Sequence, residues 1–156
     1  MESHALQQSL KRLRDLSSGA LGQQLGALTA KGLRAIEAKE GFLLCSFIIH
    51  STLSDENGNW HVGAIATLVD ALGNLAVHSL LGCVSVTVDF SVSFFSTAKV
   101  QEEVELEAKV LGKKDKLTYG IVTVRKKENG ELVALGKQWM APSPSNTSQS
   151  QRASKL

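Results

Sequence analysis

Residues 61–80 read His61-Val62-Gly63-Ala64-Ile65-Ala66-Thr67-Leu68-Val69-Asp70-Ala71-Leu72-Gly73-Asn74-Leu75-Ala76-Val77-His78-Ser79-Leu80. Wound into a helix, Val62, Ile65, Ala66, Leu68, Val69, Ala71, Leu72, Leu75, Ala76 and Val77 cover most of the circumference. The polar residues Thr67, Asp70, Asn74 and His78 recur at spacings of three, four and four and form one narrow stripe. A helix that is apolar on most sides is buried on most sides. In a chain of 156 residues this predicts one core, with a curved sheet wrapped around the helix and further cover from a second subunit. Asp70 then needs a reason to be there, because burying a carboxylate is expensive unless it is paired or used. On spacing alone it is either a wet residue on the solvent side or a charge that a site exploits.

The entrance to this helix is the second feature. Gly58-Asn59-Trp60-His61-Val62-Gly63 brings a flexible turn straight into a helix N-terminus, where unpaired backbone N–H groups carry partial positive charge. Such an end can stabilise an oxyanion; the plain alternative is a helix capped by Asn.

Working outward, Leu33, Ala35 and Glu37 alternate weakly up to a turn at Glu40-Gly41, and Phe42 to Ile49 is nearly continuous apolar sequence, which predicts a β-hairpin. A polar loop, Ser54-Asp55-Glu56-Asn57-Gly58-Asn59, leads into the helix. After Gly82, Val84, Val86, Val88, Phe90, Val92 and Phe94 alternate with Ser85, Thr87, Asp89, Ser91 and Ser93, the period of a strand. Three more strands are predicted at 103–111, 117–126 and 131–140, with an Asn129-Gly130 hairpin signal between the last two. The order is strand, strand, helix, then four strands in a meander: an α+β fold, one helix against a six-stranded antiparallel sheet. Residues 1–32 carry Leu6, Leu10, Leu13 and Leu16 at helical spacing, followed by a looser stretch at Gly19, Gly22 and Gly26, and read as a helical lid. Residues 141–156, rich in Pro, Ser, Asn and Gln, read as a disordered tail beyond the 33–140 domain.

Composition narrows the function. Hydrophobic residues at 43% and charged residues at 21% are those of a globular domain, and aromatics at 5% leave the core to aliphatic side chains. A net charge of +2 is no basic footprint, so nucleic acid is not an expected partner. Cys45 and Cys83 are too few for a disulfide scaffold and read as small core or pocket residues; no His or Cys cluster has metal-ligand spacing, so neither metal nor redox cofactor is expected. No apolar run approaches a membrane span and no secretory signal pattern is present, so a soluble intracellular domain is expected.

The stretch from His61 to Asp70 resembles the H-G-G-x-x-x-x-L-x-D signature of the hotdog-fold acyl-CoA thioesterases, with the acyl-CoA thioesterase 13-like (PaaI-type) branch as the nearest group. Val86-Thr87-Val88-Asp89-Phe90, continuing to Phe94-Phe95-Ser96-Thr97-Ala98-Lys99, is similar to that group's next strand and loop, and the resemblance spans residues 33–140. It implies that Asp70 acts as general base or nucleophile on a thioester, that Thr87 stands where a hydroxyl helps hold the water, and that the backbone N–H of Val62, with Gly63, binds the substrate carbonyl oxygen. It further implies sites at a dimer interface, dimers pairing into tetramers, and acyl-CoA as substrate. Two positions depart from the pattern: Val62 replaces the first Gly, and Asp55 replaces an Asn, with Asn57 and Asn59 near enough to substitute. Around these, His61, Thr67 and Asn74 are substrate-facing candidates. Lys99 and Lys114, like Lys113 and Lys116, follow strand ends and are candidates for CoA phosphates or simply solvated. His50 and His78 read as a surface and a stripe-edge histidine. A non-catalytic acyl-CoA binding protein with the same fold is the alternative.

Ser154-Lys155-Leu156 matches the S-K-L address read by the peroxisomal import receptor, on a polar tail that a receptor groove would need. The expected location is the peroxisome; an accidental ending would leave the protein in the cytoplasm.

Overall fold

Helix α3, Val62–Leu81, is the axis of the molecule. His61 caps its start, and its end is closed by Gly82, whose φ of 67° suits a residue without a Cβ and whose N–H reaches back to the His78 carbonyl. The computed structural model describes residues 2–21 and 24–144. Before α3 come α1 (His4–Ser17), α2 (Leu25–Ala30), β1 (Arg34–Lys39) and β2 (Phe42–Ile48); after it come β3 (Ser85–Phe94), β4 (Glu103–Lys114), β5 (Leu117–Lys126) and β6 (Leu132–Pro142). The strands form one six-stranded sheet in the order β1-β2-β4-β5-β6-β3, and every neighbouring pair is antiparallel.

The predicted elements are present, but their pairing corrects the four-strand meander. Of the four strands after α3, only β4, β5 and β6 follow one another across the sheet; β3 leaves α3 and pairs with β6 at the far edge. Alternation says that a segment is a strand and does not say which neighbour it takes. β6 also runs to Pro142, past the predicted boundary at 140, so Ala141 and Pro142 belong to the sheet. The remainder of the predicted tail, from 145 on and including Ser154-Lys155-Leu156, lies outside the described residues.

The strict alternation of β3 hides a second correction. Thr87 faces Met140 and Asp89 faces Trp139, so one extra residue, Val88, is inserted opposite β6. Such a bulge swaps the faces of the strand. Ser85 and Thr87 therefore turn toward the helix, while Val86 and Val88 are 45% and 54% exposed on the outer face. Beyond the bulge, Val92 packs on the core.

The core is aliphatic, with Leu43, Leu68, Leu72, Leu106, Val104 and Val122 fully buried between α3 and the sheet. The helix lies so close to β6 that a Cβ on Gly136 would come within 2.3 Å of Val69 Cγ1. On its other side α3 is covered by α1, which buries Leu6, Ser9 and Leu13, and by α2. Leu13 of α1 and Ala30 of α2 join the same core. Against the expectation that no apolar run approaches a membrane span, α3 has 20 residues and a mean hydropathy of 1.5, but 61% of its apolar window is buried within the fold.

Candidate active site

Each polar side chain of the α3 stripe has a hydrogen-bond partner. Thr87 Oγ1 donates to Asp70 Oδ1 at 2.8 Å, and Gln138 Nε2 donates to the same oxygen at 3.0 Å. Asn74 Nδ2 and Gln138 Nε2 each lie 3.4 Å from Thr87 Oγ1. Asp70, half-buried, is thus gripped through Oδ1 by partners from β3 and β6. Among the described residues nothing hydrogen-bonds Oδ2. A carboxylate with one oxygen fixed and the other unpartnered can take a proton from a water or attack a carbonyl carbon.

Thr87, which the resemblance gives a part in holding the water, donates its hydroxyl proton to Asp70. The β3 bulge makes this contact possible, since it lets Thr87 face the helix without moving Val92 off the core.

At the start of α3, Gly63 N–H donates to the His61 ring at Nδ1, 3.0 Å away, an N-cap that places the ring proton on Nε2. Gly63, expected to serve an oxyanion beside Val62, is therefore already satisfied. The Val62 N–H has no partner among the described residues, and the Val62 side chain is 53% exposed. Thr67, expected to face substrate, donates its hydroxyl back to the Gly63 carbonyl at 2.8 Å.

The departure at Asp55 also has a local explanation. Its Oδ1 accepts the backbone N–H groups of Asn57 at 2.8 Å and Asn59 at 2.9 Å, and its Oδ2 lies 3.4 Å from Asn59 Nδ2. The Asn59 backbone bond foremost holds this carboxyl below its ordinary range. Asp55 pins the 55–59 loop rather than reaching toward Asp70, and of the two Asn candidates the Asn59 side chain helps it while Asn57 is exposed. A bridge between Asn59 and Lys99 ties the loop to the segment before β4. Lys99 precedes β4 and Lys114 ends it, so one chain holds these two CoA candidates at opposite ends of a 12-residue strand.

Two cavities flank Asp70 along the stripe. One of about 840 Å³ opens at the helix start, bounded by His61, Gly63, Ala64 and Thr67 with His50 and Leu28. The other, about 420 Å³, is bounded by Ala71, Asn74, Leu75 and His78 with Arg12 and Leu16 of α1. His78, expected at the stripe's edge, is buried and hydrogen-bonded to Ser9 Oγ at 2.7 Å. Burial, then the nearby Arg12 charge, hold it below the usual histidine range. His50 is exposed, edge-on to Phe47. Cys45 is buried and its thiol is pushed up to about 12, which makes it inert core; Cys83 is half-buried.

Gln138 was missed by sequence reasoning. The signal was available: Ala134, Gly136, Gln138 and Met140 share one phase of β6, and all four are buried or close to the helix. A polar amide in an inward phase marks a site.

A family model for the thioesterase superfamily matches residues 57–133. Mouse (Mus musculus) acyl-coenzyme A thioesterase 13 is 30% identical over 96 residues, 61% of this chain and 69% of the mouse protein. The chain belongs to the thioesterase superfamily. It is a thioester hydrolase of the hotdog fold, and the sheet around α3 is that fold. The zebrafish thioesterase superfamily member 2 structure superposes with a TM-score of 0.79 at 25% identity, covering 90% of this chain and all (100%) of that one. A hypothetical thioesterase from Streptococcus pneumoniae TIGR4, solved with coenzyme A, shares the fold at a TM-score of 0.68 and 20% identity over 72% of this chain and 86% of that one.

Proposed function

We propose that this thioesterase hydrolyses acyl-CoA to a carboxylic acid and CoA, with water activated by Asp70. The observation that carries the reading is the one-sided grip on Asp70, Oδ1 held by Thr87 and Gln138 and Oδ2 without a hydrogen-bond partner among the described residues. Oδ2 takes a proton from a water, the hydroxide forms a bond to the thioester carbonyl carbon, the C–S bond breaks, and the thiolate recovers a proton. The carbonyl oxygen, negative in the intermediate, is received by the unpartnered Val62 N–H at a helix N-terminus. The name of the mouse relative supports acyl-CoA as the substrate.

Val62 and Asp70 stand eight residues apart on α3, roughly 12 Å along the axis at 1.5 Å per residue. They do not meet on one carbonyl in a single chain, so the site takes Asp70 from one protomer and the helix start from another. The edge strand supports this assembly. β3 has one free edge, and Phe90 and Phe94, on the helix-facing side beyond the bulge, are 37% and 45% exposed in the single chain. Pairing β3 with its copy would bury these rings and join two sheets in a two-fold dimer, and two dimers would make a tetramer.

The test is release of free thiol from a panel of acyl-CoAs. Asp70→Asn keeps shape and removes the base, so turnover should fall about 10²–10⁴-fold with the oligomer unchanged. An Asp70→Asn enzyme within a few fold of wild type ends this reading. Peroxisomal import through Ser154-Lys155-Leu156 is a separate proposal. A fusion with an N-terminal reporter should localise to peroxisomes and lose that location when residues 154–156 are deleted; equal cytosolic signal from both ends it.

A further inference from the structure

We propose that Gln138, seated on Gly73, is a positioning residue that fixes the Asp70 carboxylate through Oδ1 and so selects Oδ2 as the reacting oxygen. This rests on the reading of Asp70 as the base.

Gln138 is 1% exposed, so it acts through Asp70 and not on substrate. Its Nε2 sits 3.0 Å from Asp70 Oδ1 and 3.4 Å from Thr87 Oγ1. Facing the carboxylate, the amide must present its N–H side, because an oxygen there would meet a like partial charge. The other end, Oε1, is buried with no hydrogen-bond partner among the described residues. Leaving a buried acceptor unsatisfied is unfavourable, and such groups are few in native folds. An aliphatic side chain would fill the position, like its fellows in that phase of β6, without this penalty.

The socket is as specific as the side chain. A Cβ on Gly73 would lie 1.7 Å from Oε1 and 2.6 Å from Cδ of Gln138. That is overlap, so no other residue type at 73 leaves the amide in place. Gly73 stands one helical turn beyond Asp70, and α3 therefore presents a carboxylate and, beside it, the hollow that seats the amide. Phe90 opposes Gln138 across the β3–β6 ladder, so the amide is held in register with Thr87 on the same strand pair. With two donors on Oδ1, the carboxylate plane is set and its second oxygen is turned away from both.

The experiment compares kcat and KM for acyl-CoA hydrolysis in Gln138→Met, Gly73→Ala, Gln138→Ala and the Gln138→Ala, Gly73→Ala double variant, with Asp70→Asn alongside. Met matches the length of Gln without a donor. The expected result for Gln138→Met is a folded oligomer with kcat down about tenfold or more and KM within about twofold, as for loss of a hydrogen bond to a charged group. Gly73→Ala should lower kcat in the wild-type background. In the Gln138→Ala background the hollow is empty, and the same change should leave kcat within about twofold and the melting temperature no lower. Wild-type kcat in folded Gln138→Met overturns the proposal, as does a Gly73→Ala effect that is equal with and without Gln138. If Gln138→Met does not fold, the Gly73 pair decides alone. A dead Asp70→Asn beside a normal Gln138→Met overturns the positioning role and leaves the base in place; an active Asp70→Asn overturns both.

Discussion

At Asp70 the hydrogen bonds are lopsided, and the neighbouring residues follow from that. Thr87 donates its proton to Oδ1, so its β-branched methyl is free to pack while its hydroxyl is oriented by the carboxylate. Thr87→Val keeps the shape and removes the donor. Loss of a bond to a charged acceptor is worth about 1.5–3 kcal/mol, so the rate should fall roughly 10–100-fold with the oligomer intact; thiol-release kinetics beside a melting curve check this, and an unchanged rate shows that Oδ1 needs no hydroxyl. At Asp55 the same chemistry has a structural outcome. Its two oxygens are taken up by Asn57 and Asn59, which accounts for an Asp at a site where the resemblance expects an Asn.

At the scale of elements, the bulge in β3 and the docking of α1 do most to shape the site. The bulge lets one strand show Thr87 to the helix on one side of Val88 and Phe90, Val92 and Phe94 on the other. Helix α1 is fastened to α3 by the buried Ser9–His78 bond, over the cavity that contains Asn74. His78 is held below its ordinary value of 6.5, by burial first and by Arg12 second. The unfolded chain therefore binds the proton more readily, and the stability tied to neutral His78 is full above about pH 6.5 and lost as pH falls from there toward the lowered folded value. Melting temperatures at pH 7.5 and 5.5 should show a larger acid loss in the wild type than in His78→Gln, and equal losses would remove His78 from the account.

At the scale of the whole molecule, the proposed reading puts the two halves of the site on different protomers, and complementation tests it. Val62 is the first residue of α3, a position that tolerates Pro, so Val62→Pro removes the N–H donor and leaves the helix start folded. Val62→Pro and Asp70→Asn should each be inactive alone. Mixed and re-assembled in equal amounts, half the dimers are hybrids, and each hybrid contains one site with an intact Asp70 and an intact Val62 N–H. About a quarter of wild-type activity should return. No recovery, with hybrids demonstrated by mass, would place both groups of a site on one chain. An edge variant, Phe90→Lys, should shift the protein toward monomer in sedimentation and lose activity with it.

The sequence by itself determined what is written in local periods and local chemistry. The all-round apolarity of 62–81 makes a core helix, the alternations make six strands, and the spacing of Thr67, Asp70, Asn74 and His78 puts them on one stripe, because each depends on residues within a few positions of one another. The position of the helix start was legible for the same reason, although its cap is the His61 ring and not the Asn side chain that the sequence offered. What the tertiary structure decided depends on register between distant segments. β3 lies beside β6 because of pairing that alternation cannot encode, Thr87 faces Asp70 because one inserted residue turns the strand over, and Gln138 reaches Asp70 from 68 positions away. Gly73 became intelligible only then: its missing Cβ is the space that a side chain from the last strand occupies.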